Sequence, residues 1–177
     1  MKRKRNLILI VAAIIVIVAM IVFLQFNRNR IQSVKFNGYE TSEEAIKKYL
    51  DAFVKKDSES VMSSYCPKGM EKAAADQEVS VEKLYKKEME QLDEILKNRE
   101  QEITGYKYSI EKELSEDEIE KLFEGYEPER ACSYEVSFTS EEFPQNSKFR
   151  IYTVCYGKAW YIMNLENIIP DDFYMGQ

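Results

Sequence analysis

Twelve tyrosines, one tryptophan, three cysteines and no histidine set the chemistry available to this 177-residue chain. Without histidine there is no Ser-His-Asp triad, no Cys-His dyad, no imidazole zinc ligand and no histidine proton shuttle. Cys66, Cys132 and Cys155 contain no CxxC pair, which disfavours thioredoxin-like redox chemistry and a zinc ribbon. Residues 111–129 hold nine carboxylates, among them Glu116, Asp117, Glu118 and Glu120, but not at EF-hand spacing, so a solvated helix face is the expectation. No cofactor, no metal and no catalytic residue is expected. What remains is a set of amphipathic side chains, Tyr108, Tyr134, Thr153, Trp160 and Asn164, suited to lining a small-ligand pocket or to packing in a core with their polar ends at its rim.

The elements that must position these residues are readable from periodicity. Thr41, with Glu44 three residues on, has capping-box spacing and opens a helix whose apolar face is Ala45, Ile46, Tyr49, Leu50 and Phe53. Asp57 caps a short second helix with Val61, Met62 and Tyr65, stopped by Cys66-Pro67-Lys68-Gly69. A polar, Ala-containing stretch follows. Ser80 then caps a long helix in which Val81, Leu84, Tyr85, Met89, Leu92, Ile95 and Leu96 keep the 3.6 period. From Gly105 the period becomes two: Tyr106, Tyr108 and Ile110 alternate with polar residues as in a half-buried strand. Ser115 and Glu118 cap a short helix with Ile119, Leu122 and Phe123, closed by Gly125. Strands are expected around Cys132–Phe138, over 148–156 and, after the hairpin signal Gly157-Lys158, over 159–165. Helices followed by an antiparallel meander predict an α+β domain with helices on one sheet face.

If Thr139 faces Lys148, the opposed pairs are Cys132/Cys155, Tyr134/Thr153, Val136/Ile151 and Phe138/Phe149, all on the helix-facing side with Trp160, Ile162 and Asn164. That register makes Cys132 and Cys155 candidates for a cross-strand disulfide. Three reduced, buried thiols, or Cys66 paired with one strand cysteine, are the alternatives. The opposite face carries Tyr152, Val154, Tyr156, Tyr161 and Met163. That stripe is expected to be a dimer or partner surface, or to be covered by Ile168, Ile169, Phe173 and Tyr174 of the C-terminal tail.

The segments TSEEAIKKYLDAFVKKDSESVMSSYCP (41–67) and YGKAWYI (156–162) resemble the opening helices and closing hairpin of the nuclear transport factor two-like, or cystatin-like, superfamily. The helix at 115–125 between strands is similar to Gram-positive extracytoplasmic members, many of them domains of unknown function. The resemblance spans about 40–166 and implies a curved antiparallel sheet under helices. Enzymes of that superfamily commonly use an Asp-His or Tyr-Asp site, and with no histidine here it carries over no catalytic residue.

Charge divides the chain. Residues 1–30 hold six basic and no acidic side chains; removing them from totals of 25 basic and 31 acidic leaves −12 for the remainder. Between the basic flanks, 7–24 is an unbroken apolar run about 27 Å long as a helix. It ends in bulky Phe23-Leu24-Gln25-Phe26 rather than a small-residue cleavage site. These features predict a cytoplasmic tail (1–6), a transmembrane signal anchor (7–26), a linker (27–40), the cystatin-like domain (41–166) and a C-terminal tail (167–177). The expected location is the bacterial plasma membrane, single-pass, with the lipid bilayer as one partner and the domain extracytoplasmic. The acidic domain has no footprint for nucleic acid. The expected function is a tethered interaction or ligand-binding domain without catalytic activity, with a homodimer or an envelope protein as partner. A structural subunit of a cell-envelope or secretion complex is the alternative, and a tyrosine–carboxylate enzyme the third reading.

Overall fold

The computed structural model describes residues 34–99, 102–140 and 148–163. The chain divides into two units, Met1–Lys35 and Phe36–Gln177. In the second unit, α1 (Ser42–Val54) starts where expected, with Thr41 Oγ1 accepting from the Glu44 amide at 3.0 Å. Glu44 does not return the bond to Thr41; its carboxylate reaches one residue further back, to the Glu40 amide at 3.2 Å. Asp57 caps α2 (Ser58–Ser63) in the same way, accepting from the Ser60 amide.

The polar stretch after Cys66 is a helix, α3 (Pro67–Asp76), with Pro67 in its first turn. Proline there has no intrahelical amide bond to lose and a φ already suited to the helix, so the Cys66-Pro67 pair read as a stop is a start. The long helix, α4 (Val81–Asn98), is capped by Ser80 and buries Leu84 and Leu96. It rests on α2 and α3, with Ser58 Oγ donating to Asp93 Oδ1 at 3.1 Å.

The sheet comprises β1 (Ile103–Glu113), β2 (Arg130–Ser140), β3 (Lys148–Tyr156) and β4 (Ala159–Met163), an antiparallel meander in chain order. Between β1 and β2, α5 (Glu116–Leu122) has a full capping box from Ser115 and Glu118. The β2–β3 register differs from expectation by two residues: Cys132 faces Thr153, Tyr134 faces Ile151 and Val136 faces Phe149. A two-residue slip leaves every side chain on its expected face, so hydrophobic patterning cannot detect it.

One face of the sheet buries α1. Ile46, Tyr49, Leu50 and Phe53 pack against Tyr134, Val136, Phe138, Ile151, Trp160 and Ile162, with the Phe53 and Phe138 rings stacked 5.1 Å apart. On the other face, Ala131, Tyr152, Val154 and Met163 form a second cluster with Cys66, Leu114 and Phe123. Helices therefore cover both faces, not one. The outer edge of β4 is closed by Tyr39, which exchanges backbone bonds with Trp160 at 3.0 and 2.9 Å, and by Ser64 and Cys66, which bond Ile162. Gly38 permits that approach: a Cβ there would lie 2.5 Å from the Ala159 Cβ.

No helix among the described residues is long and apolar enough to cross a membrane. The expected architecture of a transmembrane helix plus an α+β domain is corrected accordingly. The structure supports the α+β part alone, and the signal anchor, single-pass topology and plasma-membrane location find no support in it. The segment 7–26 on which they rested lies outside the described residues, as do the 1–6 tail and the 167–177 tail.

Candidate functional site

The expected pocket residues separate into two groups. Trp160 and Thr153 are core, at 5% and 0% exposure. Trp160 is closed off further by the Arg130 guanidinium, 5.2 Å from its ring. Tyr134 is core as well, at 2% exposure, but its ring meets that of half-buried Tyr108 6.1 Å away, and Tyr106 extends the row outward, 6.0 Å from Tyr108. Asn164 lies outside the described residues.

This tyrosine row faces the polar side of α1. Tyr106 donates to Asp51 Oδ1 at 2.5 Å, Tyr108 to Glu43 Oε1 at 3.4 Å, and the Tyr134 hydroxyl shares a 2.8 Å bond with Ser42 Oγ. The two-residue period of β1 places Tyr106 and Tyr108 on one side; Glu43 and Asp51, a little over two helical turns apart, reach the row along α1, and Ser42 reaches it from the helix's first turn. Burial, then the neighbouring carboxylates, push the Tyr106 and Tyr108 hydroxyls above their ordinary value, and burial does the same at Tyr134. All three are therefore neutral at physiological pH, and Tyr106 and Tyr108 act as donors. Sequence reasoning missed Tyr106, Ser42, Glu43 and Asp51. The i, i+2 relation of Tyr106 to Tyr108 was a usable signal, whereas the α1 partners depend on long-range packing.

The face expected to receive a partner is occupied by the chain itself. Tyr152, Val154 and Met163 are buried, and Tyr156 and Tyr161 are half-buried. Phe123 packs edge-on against Tyr152 at 5.7 Å, Tyr156 donates to the Tyr126 carbonyl at 2.8 Å, and Lys68 sits 4.4 Å over the Tyr156 ring. The cover comes from the start of α3 and the end of α5, while the tail proposed for that role lies outside the described residues.

Cys66, Cys132 and Cys155 are free, buried thiols. The true register puts Thr153 opposite Cys132 and Arg130 opposite Cys155, so the expected directly opposed disulfide pair does not exist. Burial pushes all three thiols up, which keeps them protonated and unreactive. Among the described residues no group of three or more Cys, Asp or Glu converges as a metal site. Comparison of the chain with protein-family models, curated proteins and solved structures finds no match.

Proposed function

We propose that the domain is a non-catalytic recognition module that binds a cationic group, an amine or guanidinium, at the tyrosine row. The observation that carries this reading is the juxtaposition of the half-exposed Tyr106 and Tyr108 rings with the Asp51 and Glu43 carboxylates. Aromatic faces beside carboxylates attract cations through the ring quadrupole and direct charge. The same chain uses such pairing elsewhere, with Lys72 4.3 Å over Tyr126 and Lys68 over Tyr156. Among the described residues no cation lies over Tyr106 or Tyr108. Tyrosines held neutral suit recognition better than proton abstraction, which asks for a base ionised near working pH. Helices preceding an antiparallel meander, with α5 inserted between β1 and β2, support placing the domain with the nuclear transport factor two-like superfamily.

Titration with Nα-acetyl-arginine methyl ester, followed by NMR of the tyrosine side chains, tests the site. Resonances of Tyr106 and Tyr108 should shift and saturate, the uncharged Nα-acetyl-citrulline methyl ester should be inert, and Tyr108→Ala should weaken the response. Equal responses to the two esters would refute cation recognition.

A further inference from the structure

Among the described residues the sheet has one closed edge and one open edge. Tyr39 and Ser64–Cys66 close β4, while β1 pairs with β2 alone among the described residues. Register shifts at Ile103/Gly105 and Ile110/Lys112 bound a regular stretch of β1 from Gly105 to Ile110. Its outer-face side chains follow a simple charge order. Lys107 opposes Ser137, Ser109 opposes Glu135, and Glu111 reaches the same face to bond Arg150 at 2.7 and 2.9 Å. Lys107 makes no ion pair with any described residue. On the helix-facing side the stretch ends in Ile110, a large apolar residue 56% exposed.

We propose that this edge pairs antiparallel with β1 of a second copy of the chain, about a two-fold axis at Ser109. The order cation, hydroxyl, anion at 107, 109 and 111 is its own complement when reversed. Lys107 then faces Glu111 of the other copy twice, and Ser109 faces Ser109. On the helix-facing side Tyr108 faces Ile110 in both directions, which covers the exposed isoleucine. A lysine on an edge strand ordinarily repels foreign strands. Here the same lysine admits a copy of itself, because cross-strand opposite charges attract and like charges repel. The two-fold operation closes the assembly as a dimer instead of a fibre. The five residues a side from Lys107 to Glu111 bury less than the about 1,200–2,000 Å² of a stable interface, so the dimer is concentration-dependent. This pairing uses the strand edge and does not depend on cation recognition at the tyrosine row.

Site-directed crosslinking of the full chain with a short bismaleimide tests it, because the native thiols are buried and protonated. Ser109→Cys should give a product at twice the 20.8 kDa chain mass, and Glu113→Cys, far from the axis, should not. Adding Lys107→Glu to the Ser109→Cys chain should lower the yield about fivefold or more, by setting a carboxylate against the Glu111 carboxylate of the other copy. Adding Glu111→Lys should do the same, and mixing those two chains should restore the product, since both cross-pairs are again complementary. Circular dichroism checks that each variant is folded. If Glu111→Lys fails to fold for want of its Arg150 bond, Lys107→Glu alone decides. No product from Ser109→Cys, equal product from Glu113→Cys, an unchanged yield with Lys107→Glu, or no restoration by two folded chains overturns the proposal.

Discussion

Thr153 is fully buried, and its hydroxyl has no oxygen or nitrogen partner. Opposite it on β2 is Cys132, whose thiol is only a weak hydrogen-bonding group. A buried hydroxyl without a full partner incurs a desolvation cost that an apolar group of equal shape avoids. Thr153→Val should therefore leave stability unchanged or raise it by up to about 1 kcal/mol in urea unfolding. A loss larger than that would show that the hydroxyl holds a bond worth keeping. The opposite holds at Tyr134, Tyr106 and Tyr108, where each hydroxyl meets a partner on α1. Tyr108 and Tyr134 were singled out by residue type and strand alternation. Their partners were not, because a tyrosine's place on a strand says which face it points to but not which turn of a helix lies over that face.

At the scale of elements, α5 closes the molecule's second face. Its capping box from Ser115 and Glu118 and its first-turn acids Glu116 and Asp117 favour the helix locally, and Phe123 at its end enters the cluster around Tyr152 and Val154. Phe123→Ala should cost about 3–5 kcal/mol by emptying that contact. It should also uncover the Tyr152–Val154 stripe, seen as binding of a hydrophobic dye under conditions where the fold persists. An unchanged melting temperature and no dye binding would show that α3 covers the face without α5. The cap and the helix were legible because both are set by residues within a few positions of each other. That the helix would fold back over the sheet was not, and the same stripe read from strand alternation alone looked like a surface waiting for a partner. Helix α3 escaped for a related reason: Pro67 after Cys66 is compatible with the end of one helix or the start of the next, and only packing decides.

At the scale of the whole molecule, six tyrosines hold their protons more tightly than the unfolded chain does. Burial holds the hydroxyls of Tyr85, Tyr106, Tyr108, Tyr134, Tyr156 and Tyr161 above the ordinary value of 10.0. The folded state thus keeps protons that the unfolded chain releases near pH 10. Their stabilising contribution is complete below about pH 10 and is lost as pH rises through the folded-state values. Phenolate absorbance should therefore show a share of the tyrosines ionising only in a steep step that coincides with the loss of circular dichroism. Smooth titration of all tyrosines near pH 10 with the fold intact would contradict this. Residue types and their periods determined by themselves the starts of α1, α2, α4 and α5, the strand faces and the α+β order of elements. These depend on local bonding and on alternation, which two-residue slips do not disturb. Tertiary structure alone decided the strand register, the covering of both sheet faces, the partners of the tyrosine hydroxyls and, among the described residues, the edge of β1 left open. Each depends on contacts between residues far apart in the chain, whose pairing is set by the packing of whole elements.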